Sequence, residues 1–134
     1  MLFDLDHFKS INDMLGHAAG YAVLRVAARA IQCDLRPVDS FGRIGGEEFT
    51  VMLSGVETTT GRAIAERFRA AIAGMRVPGH PGLRVSASFG VAPVTEATRS
   101  AQALMEGTDR ALYAAKVAGR NRVVAGEAVS ARLD

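Results

Sequence analysis

The spacing of apolar residues along the chain predicts five strands and four helices. Apolar residues that alternate with polar ones predict strands near residues 2–6, 38–54, 85–91 and 121–124, and the second of these segments is a hairpin of two strands. Apolar residues that recur three and four positions apart predict the helices between them. The resulting order β-α-α-β-β-α-β-α-β is typical of an α+β fold with an antiparallel, ferredoxin-like sheet packed with helices.

Capping and breaking residues set the predicted limits of the helices. Gly16 ends the first helix and Pro37 ends the second, because glycine accepts the left-handed backbone of a helix end and the residue before proline avoids the α conformation. The threonines at 58–60 predict the start of the third helix. Ser100 is expected to cap the last helix, and Gly119 to end it.

The hairpin carries two adjacent glycines followed by two glutamates. Gly45 and Gly46 suit the tip of a tight turn, because both central residues of a type I′ turn have positive φ. Glu47 and Glu48 then stand beside backbone without a Cβ, where a phosphate or a sugar could approach. A surface hairpin with solvated glutamates would show the same pattern, so the motif alone leaves both interpretations open.

Composition and charge narrow the range of functions. The 134 residues are 49% hydrophobic and 22% charged, which is typical of one soluble globular domain. We expect this domain to span residues 1–125, with a flexible tail at 126–134. A net charge of +2 with scattered arginines indicates no nucleic-acid partner, and no apolar run is long enough for membrane insertion. Cys33 is the only cysteine, and we expect its side chain to be buried as a small apolar residue. A single cysteine forms no disulfide within the chain, so we expect a cytoplasmic protein.

Carboxylates at the end of the first strand are candidates for a metal site. Asp4 and Asp6 close that strand, and Glu47 joins them if the hairpin is its neighbour in the sheet. Clustered carboxylates repel one another unless a cation lies between them, and Mg²⁺ is the cation that combines oxygen ligands with substrate phosphates. Asp6 has a second interpretation, as the N-cap of the first helix.

A pair of cations stands at the end of the last helix. Lys116 and Arg120 lie four residues apart, close to Arg122. Such a pair could hold a terminal phosphate. It could equally complement the dipole at a helix C-terminus, so the pattern leaves both interpretations open.

Four separated motifs resemble the GGDEF domain of bacterial diguanylate cyclases. They are DLDHFKSIND at 4–13 followed by GH at 16–17, RIGGEEF at 43–49, ALYAAK at 111–116 and GRNR at 119–122. The motifs occur in the family's order, and the resemblance covers nearly the whole chain. It implies a nucleotidyl-cyclase-like fold, and the GGEEF form of the central motif is compatible with activity in this family.

The resemblance implies a specific reaction. Such domains join two GTP molecules into cyclic di-GMP and release pyrophosphate. Each chain of an antiparallel homodimer presents one GTP, and each 3′-hydroxyl attacks the α-phosphate of the other nucleotide. The implied cofactor is Mg²⁺, with Mn²⁺ as an alternative.

The family's site residues carry over by their positions in the motifs. The resemblance implies that Asp4 and Glu47 are catalytic metal ligands, that the Leu5 carbonyl assists them, and that Glu48 orients the hairpin. The implied phosphate contacts are the Phe8 and Lys9 amides and the Lys116 and Arg120 side chains. Asn12 is implied to bind the guanine edge, and the bare backbone of Gly45 and Gly46 to lie beneath the triphosphate and ribose.

Arg36 and Asp39 match the family's RxxD inhibitory site by their offset from Gly45. The resemblance implies that they bind intercalated cyclic di-GMP and thereby restrain the domain. An arginine can contact a phosphate or a guanine face, and an aspartate can accept guanine N–H groups. A simple ion pair at the helix end would explain the same two residues without a ligand.

Tyr21 departs from the family pattern, which has an aspartate there as the second guanine contact. One phenol oxygen cannot accept from guanine N1–H and N2–H₂ together, and the unpaired donors would cost about 1–3 kcal/mol, or roughly ten- to a hundredfold in affinity. We therefore expect an attenuated cyclase. The alternatives are a cyclase of altered purine selectivity and a non-catalytic module that senses cyclic di-GMP through the RxxD residues. Tyr21 could instead turn aside and pack on the face of Leu24 and Ala28.

The chain starts inside its first strand, where family members carry a further helix. We expect the sheet face that this helix would cover to be apolar and exposed, and we expect self-association or strand exchange to cover it.

Overall fold

Nine elements follow the predicted order. A computed structural model of the chain describes residues 1–96, 98 and 100–126. Its elements are β1 (Leu2–Leu5), α1 (Phe8–Leu15), α2 (His17–Gln32), β2 (Ser40–Gly45), β3 (Glu48–Met52), α3 (Thr58–Gly74), β4 (Ala87–Val91), α4 (Ala101–Val117) and β5 (Val123–Ala125). The α+β class and the element order are thereby confirmed. Within the predicted flexible tail, residues 127–134 lie outside the described residues.

The five strands form one sheet in the order β2-β3-β1-β4-β5. The first four pair antiparallel, which is the arrangement of a ferredoxin-like core. β5 runs parallel to β4, so the predicted antiparallel, ferredoxin-like sheet carries one parallel strand at this edge. The reason is that α4 connects β4 to β5, and a crossover helix returns the next strand in the same direction.

Helices cover the sheet on both faces. Phe3 of β1 belongs to a buried cluster that includes Val23 of α2 and Phe68 of α3, so these helices share one face. On the other face, a Cβ at Gly90 would lie 2.4 Å from the backbone nitrogen of Leu112, so α4 packs directly against β4. Because both of its faces are covered, β4 is buried along its whole length.

Stacked phenylalanine rings link four strands. The ring centroids of Phe41 and Phe49 are 5.6 Å apart, those of Phe49 and Phe3 are 5.1 Å apart, and those of Phe3 and Phe89 are 4.6 Å apart. Each of β2, β3, β1 and β4 contributes one ring, and such aromatic contacts add to the stability of strand pairs. The acidic residues next to Phe3 and Phe49 in the sequence are therefore carried on a well-packed part of the sheet.

Most of the predicted helix limits are confirmed. α1 ends at Leu15, before Gly16 with φ 88. α3 begins at Thr58. Ser100 caps α4, and its Oγ accepts a hydrogen bond from the Ala103 amide at 3.1 Å.

α2 ends earlier than the sequence predicts. It stops at Gln32 rather than before Pro37, and Leu35 packs against the core from the loop that follows. Cys33 is exposed, so the prediction of a buried cysteine is wrong. The reason is helical geometry, since Cys33 comes two positions after the fully buried Ile31 and therefore points away from the core.

Candidate active site

The end of β1 lies beside the β2–β3 hairpin. Asp4 pairs in register with Glu48, and the Leu5 amide donates a hydrogen bond to the Glu47 carbonyl at 3.2 Å. The three predicted metal ligands, Asp4, Leu5 and Glu47, are therefore neighbours across one strand pair. The Asp4 side chain is 14% exposed and Glu47 is half-buried beside the exposed tip of the hairpin, so both carboxylates are partly sheltered from water.

The hairpin tip differs from the predicted type I′ turn. Gly46 has φ 48, but Gly45 belongs to β2 and pairs with Glu48, so only one of the two glycines has a positive φ. The reason is a β-bulge between Arg43 and Gly45 that leaves Ile44 unpaired and shifts the turn by one position. A Cβ on Gly45 would meet nothing within 4 Å. Neither backbone strain nor packing therefore requires glycine at position 45, and this favours a ligand site over a plain surface turn.

Lys116 brings a cation to the same place. Its Nζ donates to Oδ2 of Asp4, so a predicted phosphate ligand and a predicted metal ligand form an ion pair between α4 and β1. Oδ1 of Asp4 is buried and has no hydrogen-bond partner among the described residues. A buried carboxylate oxygen without a donor is costly, and a bound cation would satisfy it.

Glu48 shows the electrostatic character of this region. Its carboxyl lies near Asp4 across the β1–β3 pair. Partial burial raises the pKa of Glu48, and the negative charges of Asp4 and Asp109 raise this pKa further, while the charge of Lys116 opposes them. Negative charge is thus concentrated here, which favours the binding of a cation.

Asp6 does not join these carboxylates, so the prediction of three converging acids is wrong. Within residues 1–96, 98 and 100–126, no group of three His, Cys, Asp or Glu side chains is placed to hold a metal ion. Asp6 does not cap α1 either, because the N-cap is His7, with φ 56 and no side-chain cap. Since β1 ends one residue earlier, the chain turns and Asp6 faces β4. Its buried carboxylate accepts hydrogen bonds from Ser86 Oγ, Ser88 Oγ and the Asn121 amide.

The predicted phosphate-binding amides lie at the start of α1. Phe8 and Lys9 are the first two residues of this helix, where backbone N–H groups lack partners within the helix. The Phe8 side chain is 8% exposed and anchors the helix end in the core, while Lys9 is exposed. A helix start held in this way is a suitable place for phosphate oxygens.

The predicted base-binding residues Asn12 and Tyr21 lie on α1 and α2, two helices that pack closely at Asn12. A Cβ at Gly20 would lie 1.9 Å from Oδ1 of Asn12, so glycine allows α2 to pass close to this amide. Oδ1 of Asn12 is buried and unpaired within the described part of the chain. Tyr21 is 60% exposed, which contradicts the interpretation that it packs on the face of Leu24 and Ala28. The physical reason is that the buried face of α2 runs through the neighbouring Gly20.

The turn after α4 carries the second predicted phosphate ligand. Lys116 lies in the last turn of α4, and Arg120 follows with φ 64 and an exposed side chain. The Arg120 amide donates to the Ala115 carbonyl at 3.0 Å and so closes the helix end. Because the Lys116 ammonium contacts Asp4, complementing the helix dipole does not by itself account for this cation.

Arg36 and Asp39 form an ion pair in the loop after α2. Arg36 donates from Nη2 to Oδ1 of Asp39 at 2.9 Å and from Nε to Oδ2 at 3.2 Å. Nη2 also donates to the Ser54 carbonyl at 2.7 Å. The hydrogen bonds between the two side chains lower the pKa of Asp39 and raise that of Arg36. The ion pair expected without a ligand is thus present, and the Arg36 side chain remains 50% exposed.

Sequence reasoning missed the contacts that hold Asn121. Besides the bond to Asp6, Arg69 of α3 donates from Nη1 to Oδ1 of Asn121 at 2.8 Å. Ser86 and Ser88 have no predicted role either, although they stand at alternate positions where a fully buried strand begins. Buried polar groups need partners, so this alternation was the signal that could have revealed them.

An apolar groove lies on the face that carries α4. Its volume is about 600 Å³, and its lining includes Leu2, Met52 and Met105. The Met1 amine at its edge donates to the Val51 carbonyl at 2.7 Å, and burial lowers the pKa of this amine to about 6.

Comparison with known proteins gives concordant results. The chain matches the family described as "Diguanylate cyclase, GGDEF domain" over residues 1–122. It is 43% identical over 124 residues to diguanylate cyclase DgcP of Pseudomonas aeruginosa, a match that covers 91% of this chain and 18% of that protein. It is 40% identical over 125 residues to diguanylate cyclase A of Treponema denticola, a match that covers 92% of this chain and 33% of that protein. The chain thus spans only a minor part of the length of these curated relatives.

Solved structures share the fold. The active GGEEF domain of a diguanylate cyclase from Vibrio cholerae superimposes with a TM-score of 0.87 at 31% identity, covering 93% of this chain and 80% of that one. The GGDEF domain of DgcB from Caulobacter crescentus, in complex with c-di-GMP, gives a TM-score of 0.86 at 32% identity, covering 92% and 74%. Within the described residues, no helix combines the length and apolar character needed to cross a membrane. The family match, the relatives and the shared fold agree, and the chain belongs to the GGDEF domain family of diguanylate cyclases.

Proposed function

We propose that residues 1–125 form a diguanylate cyclase domain that joins two GTP molecules into cyclic di-GMP and releases pyrophosphate. The observation that carries this proposal is the pairing of Asp4 with the GGEEF hairpin, beside Lys116 of α4. This arrangement sets carboxylates for a metal ion next to a cation for a phosphate. Relatives named diguanylate cyclases support the same reaction.

Asp4 and Glu47 would hold Mg²⁺, with the Leu5 carbonyl as a further ligand and Mn²⁺ as an alternative ion. The residues fit this role, because all the donors are oxygens and Oδ1 of Asp4 lacks a partner in the described part of the chain. A small number of protein ligands suits Mg²⁺, which retains waters and binds substrate phosphates. When bound, the ion supplies a Lewis acid that polarises the α-phosphate and lowers the pKa of the 3′-hydroxyl.

The phosphates would be held by donors from both ends of the chain. The Phe8 and Lys9 amides at the start of α1 would bind phosphate oxygens, and Lys116 and Arg120 at the end of α4 would bind the γ-phosphate. Lys116 would exchange the Asp4 carboxylate for an oxygen of the γ-phosphate, so its charge remains paired in both states.

Guanine would be bound between α1 and α2, with ribose and triphosphate over Gly45 and Gly46. Asn12 supports this assignment, because its Oδ1 has no hydrogen-bond partner within the described residues and is free to accept from the base. The exposed Tyr21 offers one oxygen where two donors need acceptors, so we propose an attenuated activity. Because Tyr21 would weaken the recognition of guanine, an alternative form of this proposal is a cyclase that also accepts other purines.

Turnover would require two chains, because each chain holds one GTP and the two nucleotides react with each other. We therefore propose an antiparallel homodimer as the active form, working in the cytoplasm where GTP is available.

A second candidate function is a non-catalytic module that senses cyclic di-GMP. Arg36 is half exposed beside Asp39, and the Caulobacter crescentus neighbour was solved with c-di-GMP bound. Tyr21 favours this candidate because it weakens the proposed substrate site. In an active cyclase, the same Arg36–Asp39 site would serve for inhibition by the product.

Mass spectrometry of the reaction products separates these candidates. The chain is incubated with Mg²⁺ and GTP, and separately with GTP plus ATP; we expect cyclic di-GMP in both, whereas mixed dinucleotides would indicate relaxed purine selectivity. Absence of product, together with cyclic di-GMP binding that is lost in Arg36→Ala, would replace the cyclase with the sensor. Arg29→Ala, which removes an exposed arginine of α2, is the matched control for binding.

A further inference from the structure

The turn that carries Arg120 has three consecutive residues with positive φ. The values are 124 for Gly119, 64 for Arg120 and 45 for Asn121. Only the first of these residues is a glycine, and other residues hold such a conformation where surrounding contacts impose it. The turn therefore depends on bonds from elsewhere in the fold.

The first of these bonds comes from Asp6. This residue is 6% exposed, and its Oδ2 accepts hydrogen bonds from the Asn121 amide at 3.0 Å and from Ser86 Oγ at 2.7 Å. Its Oδ1 accepts from Ser88 Oγ at 2.6 Å. Three donors satisfy the buried charge. Because the serine donors are fixed on and beside β4, the carboxylate holds the main chain of the turn against the sheet.

The second bond comes from Arg69 on α3. Arg69 donates from Nε to Oε2 of Glu66 at 3.0 Å and from Nη2 to Oε1 at 2.6 Å, and this bidentate contact fixes the plane of the guanidinium. The remaining nitrogen, Nη1, donates to Oδ1 of Asn121 at 2.8 Å. The Arg69 side chain is 20% exposed, although Asn121 at the other end of the bond is exposed. Asn121 is thus held through its amide by Asp6 and through its side chain by Arg69.

We propose that Asp6 and Arg69 are positioning residues that act through Asn121 to hold Arg120 in place for the terminal phosphate of a bound nucleotide. This inference rests on the proposed function, in which Arg120 is a phosphate ligand. Asp6 also begins the connection from β1 to α1, so one carboxylate aligns the phosphate-binding start of α1 with the cation after α4. Neither positioning residue contacts the site that we assign to the base.

The test compares a triphosphate with a monophosphate. Affinities of the intact chain are measured by titration calorimetry with Mg²⁺ for the α,β-methylene analogue of GTP, which cannot be turned over, and for GMP. We expect Arg69→Met to weaken binding of the analogue about tenfold and to leave GMP binding unchanged, because only the longer ligand reaches Arg120. In an Arg120→Ala background, Arg69→Met should have no further effect, since the two residues act through one contact.

Three further variants separate positioning from general damage to the fold. Asn121→Gly keeps the backbone donor and tolerates positive φ but removes Oδ1, so it should reproduce the effect of Arg69→Met. Asp6→Asn, which retains an acceptor for the Asn121 amide, should weaken analogue binding less than Asp6→Ala does. Arg62→Met is the control for Arg69→Met, because it removes an exposed arginine from the same helix, α3. This variant should bind both ligands like the wild type.

Two outcomes would overturn the proposal. One is an equal loss of affinity for the analogue and for GMP in Arg69→Met, and the other is a loss that persists undiminished in the Arg120→Ala background. If the wild-type chain prefers the triphosphate and Arg69→Met does not change that preference, only the positioning roles fail. If the wild-type chain shows no preference for the triphosphate, the assignment of the nucleotide site fails together with them.

Discussion

Lys116 has two partners in this account. In the structure its ammonium contacts Asp4, and in the proposed reaction it binds a phosphate. A cation that leaves a carboxylate for a phosphate remains paired, which avoids the cost of an isolated charge in a partly buried site. At the scale of single residues, the proposed reaction therefore depends on Lys116 exchanging Asp4 for a phosphate.

Replacement of Lys116 by methionine tests this exchange. The variant lacks the cation that competes with a metal for Asp4, so Mn²⁺ followed by electron paramagnetic resonance should bind more tightly than to the wild type. Its affinity for the GTP analogue should fall roughly tenfold, because a charge-assisted contact to phosphate is lost. Arg110→Met, which removes another exposed cation of α4, is the control. Weaker Mn²⁺ binding by the Lys116 variant would contradict the exchange.

Tyr21→Asp tests the account of base recognition. A carboxylate at this exposed position on α2 supplies the second acceptor for guanine. The KM for GTP should fall by roughly ten- to a hundredfold, because the guanine N–H donors that Tyr21 leaves unpaired would then have an acceptor. Tyr21→Phe keeps the size of the side chain and should show no such gain. A KM that is unchanged in Tyr21→Asp would remove Tyr21 from the substrate site.

Motif spacing predicted which residues would lie close together, but it did not predict their contacts. Asp4 and Glu47 were expected to be neighbours, and the structure pairs Asp4 with Glu48 and bonds the Leu5 amide to the Glu47 carbonyl. Asp6 was misassigned because its partners, Ser86, Ser88 and Asn121, are at least 80 residues away in the sequence, and local pattern carries no information about them.

At the scale of elements, hydrophobic periodicity predicted type and order because the four helices and strands such as β3 bury one face. The predictions failed where packing or connectivity decided the outcome. α2 ends at Gln32 although its pattern continues toward Pro37, β5 runs parallel because α4 crosses the sheet, and unpaired Ile44 shifts the hairpin turn. Each of these features depends on contacts between elements rather than on local preference.

The ion pair after α2 makes a prediction about pH. Hydrogen bonds from Arg36 lower the pKa of Asp39, so the ionised carboxylate stabilises the fold at pH values above its unfolded pKa of about 3.9. That stabilisation is lost as the pH falls through the lower, native pKa. In urea denaturation, Asp39→Asn should be less stable than the wild type at neutral pH, and the difference should shrink in strong acid. Asp13→Asn, an exposed site on α1, is the control, and a difference independent of pH would contradict this role.

At the scale of the whole molecule, we assign one nucleotide site to each chain, while the proposed product contains two nucleotides. The apolar groove beside β3 and α4 adds surface that another chain could cover. The proposed activity is therefore a property of an assembly.

The rate should accordingly depend on protein concentration. Cyclic di-GMP formed per chain should increase with concentration and level off when light scattering shows that the dimer is fully formed. A constant rate per chain across a range in which scattering shows only monomer would contradict the requirement for two chains.

The most direct test of the central claim is cyclic di-GMP formation from GTP and Mg²⁺ by the wild type, Glu47→Gln and Glu48→Gln, measured by mass spectrometry. The two variants remove the same charge from adjacent residues of one hairpin, and only Glu47 is assigned to the metal. We predict product from the wild type, none from Glu47→Gln, because the metal site loses a charged ligand, and measurable product from Glu48→Gln. Full activity in Glu47→Gln would contradict the assignment of the active site.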